Sequence, residues 1–444
     1  MDKSLWEAPY LGENREIFAT VEVPASKSLS NRYLILQALS KMDGNECILS
    51  NMLKSRDSKL MQNAVSKILS IKEGMKTEID CGLAGTVMRF APVLAATVLP
   101  EDSKIRFDGD KEAYKRPVGP VLNALESLGF RVEQENGDFL PFTIFGFDKE
   151  NQFTKNKAKD VIEIDIDSSA SSQFISALLL CSPKLAQKIG VSKLVIKHIG
   201  NKLPSLPHIE MTVQVLQESG VQIDANYLNF TFEVKSGKVK LPDTIIEPDL
   251  SNAGPFICAA LANSSGGEVR IPNWTNKTTQ PGKYFPQILE KLGAKTKIEK
   301  RVLSVKSNGV INGLGINNPL DLSKAGEITP TVCALLALSP KPSVVKGVGH
   351  LRLHETDRLA ALVKEINRIG RDAKIGDDND SLEIGEYPES GLHSAIIETY
   401  KDHRMATFGA ILGLRIPGIE VENIATTAKT MPDFPNMWQK MVLG

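Results

Sequence analysis

Basic side chains stand at the polar starts of the most apolar segments in this chain. They are Lys27, Arg32, Arg89 and Arg404. A helix that begins at such a start presents unpaired N–H groups and a partial positive charge at its N-terminus. Several such ends, with cations beside them, would suit a multiply charged anion. Each start taken alone also fits an ordinary helix cap with solvated charges, so both interpretations stay open at this point.

The elements behind these starts form an internal repeat. A segment with a small polar start and an apolar continuation occurs six times, and the last five starts are spaced by roughly 75 to 85 residues. The segments begin at Ser26, Ala84, Ser169, Leu250, Ala325 and Lys401. An amphipathic helix that ends near a glycine follows most of them, and a strand of alternating apolar and polar residues comes next. The glycines are Gly129, Gly220, Gly293 and Gly370.

The repeat predicts an α/β (α+β) fold. Its unit is strand, buried helix, strand, amphipathic helix, strand and strand. Six units in 444 residues indicate two domains of three units each. The first helix of each unit is apolar nearly all round, so it should lie inside its domain, while the amphipathic helix covers the outside. No linker rich in Gly, Ser or Pro marks the boundary between the halves.

Charge and hydropathy limit the class of protein. The chain has 53 basic and 53 acidic residues, so no overall field would attract nucleic acid or a membrane surface. The first residues lack the basic and apolar regions of a signal peptide, and no run approaches the roughly 20 apolar residues of a membrane span. We therefore expect a cytoplasmic protein without nucleic-acid or membrane partners.

The cysteines look structural. They are Cys47, Cys81, Cys181, Cys258 and Cys333. The last three lie in apolar runs, and no pair has the spacing of metal ligands. We expect reduced thiols, most of them in the core, without a catalytic role.

Eight short segments resemble the 5-enolpyruvylshikimate-3-phosphate synthase family, and they occur in the family's order. They span residues 24–32, 83–89, 115–120, 168–174, 205–212, 354–358, 402–406 and 427–434. The resemblance extends from about residue 20 to about residue 439, nearly the full length. Any one of these segments alone would be a weak signal, whereas eight in order are not expected by coincidence.

The resemblance implies a more specific architecture. It is a two-domain, inside-out α/β barrel of the enolpyruvyl transferase type, with six βαβαββ repeats, three in each domain. Residues 1–24 and 248–444 would form the phosphoenolpyruvate-side domain, and residues 25–247 the shikimate-3-phosphate-side domain. The active site would lie in the cleft between them.

The resemblance also implies a reaction. The enolpyruvyl group of phosphoenolpyruvate would pass to the 5-hydroxyl of shikimate 3-phosphate by addition and elimination through a tetrahedral ketal, in aromatic amino-acid biosynthesis. This chemistry requires acid–base groups and cations, and the expected cofactor and metal content is none. The expected partners are these two small molecules, and the expected state is a monomer.

Site residues follow from the matched motifs. The expected catalytic residues are Lys27, Glu327 and Glu355. Shikimate 3-phosphate would contact Lys27, Ser28, Arg32, Ser171, Ser172, Gln173, Ser205, Glu327, His350 and His354. Phosphoenolpyruvate would contact Lys27, Gly85, Thr86, Arg116, Gln173, Arg358, His403, Arg404 and Lys429. Without the motifs, Glu327 and Glu355 would be interpreted as ordinary carboxylates near helix starts, where they complement the helix dipole.

Some residues depart from the commonest family pattern. They are Leu83, Phe90, His208, Glu327, His350 and His354. Several of them are similar to the variant seen in actinobacterial members. His354 stands where a Lys is frequent, so a fixed ammonium is replaced by a group that titrates near neutrality.

The sequence leaves two other functions open. The related transferase that acts on UDP-N-acetylglucosamine uses a reactive loop cysteine, and no cysteine here lies in a loop rich in Gly and Arg. A non-catalytic phosphometabolite-binding homologue would not require Glu327 and Glu355. One assay with both acceptors separates all three functions.

Overall fold

The structure is a computed structural model that describes residues 4–148, 160–201, 203–275 and 277–444. Its contacts divide the chain into two compact units. Unit 1 comprises Met1–Ala25 and Glu247–Gly444, and unit 2 comprises Ser26–Ile246. The chain therefore starts in unit 1, builds unit 2 and returns to unit 1.

The described residues form helices and strands in alternation. The helices are α1 (Lys27–Met42), α2 (Arg56–Ser70), α3 (Gly85–Val98), α4 (Gly119–Ser127), α5 (Gln173–Ile189), α6 (Leu206–Glu218), α7 (Leu250–Ala262), α8 (Phe285–Lys291), α9 (Thr329–Leu338), α10 (Arg358–Arg368), α11 (His403–Gly413) and α12 (Phe434–Leu443). The strands are β1 (Leu5–Glu7), β2 (Ile17–Thr20), β3 (Leu49–Ser50), β4 (Lys76–Asp80), β5 (Lys104–Asp108), β6 (Val132–Asn136), β7 (Phe139–Phe145), β8 (Val161–Ile166), β9 (Lys193–His198), β10 (Ile223–Asn226), β11 (Thr231–Lys235), β12 (Thr244–Ile245), β13 (Gly267–Pro272), β14 (Lys295–Glu299), β15 (Val302–Ser307), β16 (Leu320–Asp321), β17 (Ser343–Lys346), β18 (Ala373–Ile375), β19 (Ser381–Ile384), β20 (Ile396–Ile397) and β21 (Glu420–Glu422).

Four sheets of four strands share one topology. Their strand orders are β2-β13-β15-β14, β4-β5-β7-β6, β8-β9-β11-β10 and β16-β17-β19-β18. In each sheet the first pair is parallel and the other pairs are antiparallel. A single buried helix connects the parallel pair in three of these sheets, because parallel neighbours need a long crossover. In the sheet of β2 and β13 the chain leaves after β2, builds unit 2 and returns through α7 to β13. The strand-helix-strand-helix-strand-strand unit predicted from the repeat is continuous in the other three sheets, and here its first strand is separated in the chain from the rest.

The two remaining repeats have smaller sheets that draw on distant parts of the chain. In unit 2, β3 pairs only with β12 among the described strands. In unit 1, β21 lies between β20 and β1, so the chain start supplies a strand to the last repeat. These strands have only two or three residues, which is too short for an alternating pattern to be visible in the sequence.

The core of each unit is built around the first helix of every repeat. Every residue of α7, α9 and α11 is buried, and α3 is buried along its length except at its last residue. By contrast, α10 buries one face and exposes the other. In unit 1, α9 packs against α11 and α7, while in unit 2 α3 packs against α5. The packing of these buried helices against one another positions the polar residues at their starts.

Within the described ranges, no helix combines the length and the apolar character that crossing a membrane requires.

Candidate active site

The start of α1 holds a lysine against a carboxylate. Ser26 caps the helix, its Oγ accepting the N–H of Leu29 at 3.4 Å. Lys27 follows as the first helical residue, and its Nζ lies 3.3 Å from Oδ2 of Asp57. Asp57 is buried in the first turn of α2. The ammonium of Lys27 therefore lies at the starts of two neighbouring helices.

Arg32 lies inside unit 2 and connects three helices. The residue is 1% exposed, and its Nε donates to Oγ1 of Thr212 at 2.8 Å. One terminal nitrogen donates to the Ser28 carbonyl at 2.9 Å, and the other to the His208 carbonyl at 3.0 Å and to Oγ of Ser176 at 3.4 Å. These contacts fix the first turn of α1, which carries Ser28, relative to α5 and α6. Arg32 thus orients helix starts as well as carrying charge.

The start of α3 is covered by a guanidinium. Arg116 donates from Nη1 to the Leu83 carbonyl at 2.8 Å and is 9% exposed. A Cβ added at Gly85 would lie 2.6 Å from Nη2 of Arg116. The matched motifs imply that Gly85 contacts phosphoenolpyruvate, and here the space beside it accommodates this guanidinium. Next along the helix, Oγ1 of Thr86 accepts a hydrogen bond from Nδ2 of Asn31 at 2.5 Å, which ties α3 to α1.

Arg89 orients the polar residues before α5. Its Nη1 donates to Oγ of Ser171 at 3.2 Å and to Oε1 of Gln173 at 2.8 Å. Its other nitrogens donate to the Pro117 carbonyl at 3.2 and 3.1 Å. Ser172, the residue before α5, is 3% exposed. The sequence identifies Arg89 only as a cation, because its partner Ser171 lies 82 positions away in the chain.

Ser205 begins α6 in an unusual backbone conformation. Its φ of 54° and ψ of 50° lie in the left-handed region. A residue with a side chain adopts this region at a cost of on the order of 1 kcal/mol, so it persists only where surrounding contacts impose it. Ser205 is 9% exposed. The side chain is therefore presented from a constrained turn rather than from a mobile loop.

In unit 1, two cations hold the carboxylate of Glu355. Its Oε2 lies 2.8 Å from Nη2 of Arg358, and its Oε1 lies 3.0 Å from Nζ of Lys429. The side chains of Glu355 and Lys429 are each 11% exposed, and that of Arg358 is 2% exposed. Charge-assisted hydrogen bonds of this kind are about twice as strong as neutral ones.

Arg358 is also paired with a fully buried aspartate. Its Nε and Nη2 donate to the two carboxylate oxygens of Asp402 at 2.7 and 3.2 Å. Burial opposes the positive charge, but the charges of Asp402 and Glu355 outweigh it and raise the pKa of Arg358 above its ordinary value. Asp402 further accepts the Arg404 N–H at 2.8 Å and so caps α11. Its place before an apolar run is a typical N-cap signal, but the sequence alone does not indicate its pairing with Arg358.

His354 accepts a hydrogen bond from Arg358. The two side chains meet at 3.0 Å between Nδ1 and Nη1. A guanidinium can only donate, so Nδ1 is the acceptor in this contact. The imidazole of His354 thus lies against the same guanidinium that holds Glu355.

Glu327 is held between a hydroxyl and an arginine. It lies in a short 3-10 turn, Gly326–Ile328, that leads into α9. Its Oε1 accepts from Oγ of Ser251 at 2.5 Å, and its Oε2 lies 3.5 Å from Nη2 of Arg404. Ser251 belongs to the first turn of α7, so two buried helices and one turn meet at this carboxylate. The contribution of Ser251 was not expected from the sequence.

His350 and His403 complete this group in unit 1, together with His354. A Cβ on Gly326 would lie 2.2 Å from Nε2 of His350, so the imidazole packs directly on the turn that carries Glu327. The rings of His350 and His354 have centroids 5.8 Å apart. His403, at the start of α11, has its Nδ1 3.8 Å from Oδ1 of Asp402. Unit 1 thus brings all of its predicted site residues into one connected cluster.

The cysteines lie apart from this chemistry. Cys47 is half-buried, and the other four are buried free thiols. Burial raises the pKa of the Cys333 thiol to about 12 and raises the pKa of Cys47, Cys81, Cys181 and Cys258 as well. A raised pKa leaves little nucleophilic thiolate near neutral pH.

Among the residues that the structure describes, no group of three or more His, Cys, Asp or Glu side chains is arranged to hold a metal ion.

Comparison with protein families gives one match that covers nearly the whole chain. Residues 12–438 match the family described as EPSP synthase (3-phosphoshikimate 1-carboxyvinyltransferase). A relative named 3-phosphoshikimate 1-carboxyvinyltransferase from Bifidobacterium longum is 44% identical, over 99% of this chain and 98% of its own length. One with the same name from Kocuria rhizophila is 42% identical, over 99% and 96% respectively. Both organisms are actinobacteria, which confirms the resemblance to actinobacterial members.

Two solved structures of EPSP synthase from Acinetobacter baumannii have the same fold. The first superposes with a TM-score of 0.74 at 18% identity and covers 100% of this chain and 99% of its own. The second has a TM-score of 0.71 at 17% identity, with coverage of 99% and 98%. The fold class predicted from the repeat and the motifs is thereby confirmed.

Proposed function

Because the chain belongs to the EPSP synthase family, we propose that it transfers the enolpyruvyl group of phosphoenolpyruvate to the 5-hydroxyl of shikimate 3-phosphate. The products are 5-enolpyruvylshikimate 3-phosphate and phosphate, and the reaction serves aromatic amino-acid biosynthesis. The relatives at 42 and 44% identity support this activity over the full length of the chain. The structural observation that carries it is the carboxylate of Glu355, held by Arg358 and Lys429.

Unit 1 supplies most of the proposed cations for phosphoenolpyruvate. Arg358, Arg404 and Lys429 lie in the connected cluster around Glu355 and Glu327. Planar guanidinium groups match carboxylate and phosphate oxygens bidentately, so two arginines and a lysine suit a substrate that carries both. His403 lies at the start of α11, next to Arg404. Arg116 and Lys27, with Gly85, Thr86 and Gln173, contribute from unit 2.

The proposed groups for shikimate 3-phosphate come mainly from unit 2. They are Lys27, Ser28, Arg32, Ser171, Ser172, Gln173 and Ser205, with Glu327, His350 and His354 added from unit 1. Hydroxyls and an amide at helix starts donate to phosphate oxygens together with backbone N–H groups. We propose that unit 2 is the acceptor-side domain and unit 1 the phosphoenolpyruvate-side domain.

The chemical steps need a base for the acceptor and proton transfer at the methylene carbon. Glu327 takes the proton of the 5-hydroxyl, and the oxygen forms a bond to C2 of phosphoenolpyruvate while C3 gains a proton. The tetrahedral ketal then loses phosphate as the bond between C2 and the phosphate oxygen breaks and C3 gives up a proton. In the addition step C3 takes its proton from the acid form of Glu355, and in the elimination step the carboxylate of Glu355 takes a proton back from C3, while Lys27 gives a proton to the departing phosphate.

Binding of phosphoenolpyruvate prepares Glu355 for this step. Its two carboxylate oxygens are held by Arg358 and Lys429, the same cations that we assign to phosphoenolpyruvate. When the substrate takes over part of these contacts, one carboxylate oxygen becomes available to carry the proton that it exchanges with C3. The substrate thereby activates the group that reacts with it.

We further propose that the enzyme works in the cytoplasm as a monomer. Five free cysteines, four of them buried, are in keeping with a reducing compartment.

The proposal is tested by measuring phosphate release from phosphoenolpyruvate with each of two acceptors. Release with shikimate 3-phosphate, in a buffer that contains EDTA, is the expected result. No release with shikimate 3-phosphate, or release with UDP-N-acetylglucosamine alone, would refute it.

A further inference from the structure

The turn before α11 contacts α10 at two points. The first is the pair of Arg358 and Asp402, and the second lies further along α10. Oη of Tyr400 donates to Oε1 of Glu365 at 2.6 Å. The N–H of Glu398 donates to Oε2 of the same carboxylate at 3.2 Å, and Nε of Arg368 lies 3.0 Å from that oxygen. Glu365 is 0% exposed. Neither Glu365 nor Tyr400 belongs to the motif residues assigned to the reaction.

The two attachment points share one face of α10. Arg358 and Glu365 are about two helical turns apart, which places both on the same side of the helix. Arg358 holds Asp402, and Glu365 holds Tyr400. α10 therefore holds the turn at Asp402, which caps α11, and at Tyr400, two residues earlier.

The backbone between these points requires such support. Tyr400 and Lys401 have φ values of 52° and 58°, both in the left-handed region that side chains disfavour. Two successive residues in this region persist only where contacts impose them. This reversal brings Asp402 to Arg358 and starts α11, which carries Arg404.

A buried carboxylate at this position is costly. Burial raises the pKa of Glu365 above its ordinary value, although the hydrogen bonds from Tyr400 and from the Glu398 backbone oppose that rise. A well-packed apolar side chain can often replace a buried charge without loss of stability. The specific contacts of Glu365 therefore point to a need for orientation.

We propose that Glu365 is a positioning residue for the transfer reaction. Through Tyr400 it holds the turn in the conformation that presents Asp402 to Arg358 and Arg404 to phosphoenolpyruvate. This inference rests on the proposed function, and its test has one readout that needs no substrate.

The test compares Tyr400→Phe with the wild-type enzyme. Loss of a buried hydrogen bond should raise KM for phosphoenolpyruvate about tenfold, with a smaller fall in kcat and an unchanged KM for shikimate 3-phosphate. Amide hydrogen exchange in residues 399–406 should become faster, while exchange in β13 stays unchanged. Tyr10→Phe is the matched control, since Tyr10 is 42% exposed in the same unit.

A second pair of variants separates orientation from packing. Glu365→Gln can still accept the hydrogen bond of Tyr400, whereas Glu365→Leu cannot. KM for phosphoenolpyruvate should therefore rise more in Glu365→Leu than in Glu365→Gln. Equal KM values in these two variants would contradict the proposal.

KM, amide exchange and Tm together distinguish a positioning role from a purely structural one. Faster exchange confined to the turn together with a raised KM supports the proposal. Unchanged KM in Tyr400→Phe overturns it, whether or not exchange changes. A lowered Tm with faster exchange in β13 as well would indicate a purely structural role and would also overturn it. Faster exchange in the turn of a protein whose wild-type form shows no transfer would support the contact and refute the proposed function.

Discussion

The carboxylate of Glu355 and the ammonium of Lys429 lie 3.0 Å apart, although the residues are separated by 74 positions in the chain. The second oxygen of that carboxylate accepts a hydrogen bond from Arg358 at 2.8 Å. One acidic group is thus held by two cations that suit a phosphate and a carboxylate. Under the proposed function, this arrangement would join substrate binding to proton transfer, because a substrate that takes these cations would change the contacts of Glu355.

Glu355→Gln should separate binding from catalysis. The amide keeps the size of the side chain but cannot exchange a proton with C3, so kcat should fall by about 10²-fold or more. Binding of both substrates, measured by calorimetry, should be largely retained. Glu389→Gln, at an exposed position of the same unit, is the control. An unchanged kcat in Glu355→Gln would remove this residue from the proton transfer.

Gly85→Ala should displace Arg116. The new methyl group would lie 2.6 Å from Nη2 of Arg116, so the guanidinium must move from the start of α3. A misplacement of about 1 Å can cost on the order of 10²-fold, and we expect KM for phosphoenolpyruvate to rise at least tenfold. Gly237→Ala serves as the control, because its Cβ would meet nothing within 4 Å. If Gly85→Ala leaves KM unchanged, Arg116 does not bind this substrate in the proposed way.

Arg89→Lys should weaken acceptor binding without unfolding the protein. Lysine keeps the charge but loses the planar fork that holds Ser171, Gln173 and the Pro117 carbonyl together. We expect KM for shikimate 3-phosphate to rise about tenfold, since two oriented contacts are lost. Arg131→Lys, at a side chain that is 67% exposed, should have no effect. Equal KM values for the two variants would mean that Arg89 does not orient the acceptor site.

The thiols should react slowly in the native enzyme. The pKa of every cysteine is raised, chiefly by burial, so the thiolate fraction at pH 8 is below that of a free thiol. Iodoacetamide should therefore leave activity intact at pH 8, and labelling should accelerate only at higher pH. The unfolded protein, in which all five thiols are accessible, gives the reference rate. Loss of activity in step with labelling of one thiol would contradict a mechanism without cysteine.

Much of the fold was predictable because its signals are local and repeated. The apolar helix with a polar start recurs six times, and its spacing indicated the repeating unit. The short strands were not predictable in the same way. β12 and β20 have only two residues each, and β1 pairs with β21 from the other end of the chain. Neither feature leaves a periodic pattern in one sequence.

The candidate site was predictable as a set of residues but not as a set of contacts. Motif order led to Glu355, Arg358 and Lys429, yet nothing in the sequence states that one carboxylate contacts both cations. Ser251 and Arg89 were overlooked as orienting residues, because serine and arginine near helix starts are common and their partners are distant in the chain. His354 shows the same limit, since its contact with Arg358 is visible only in the structure.

The most direct test of the reaction follows the bridging oxygen of phosphoenolpyruvate. Addition to C2 and elimination break the C–O bond, so oxygen-18 placed in the bridge should appear in the released phosphate when shikimate 3-phosphate is the acceptor. The labelled phosphate should form at the same rate as the enolpyruvyl ether, in the presence of EDTA. Unlabelled phosphate, which requires cleavage of the P–O bond, would contradict enolpyruvyl transfer by this enzyme.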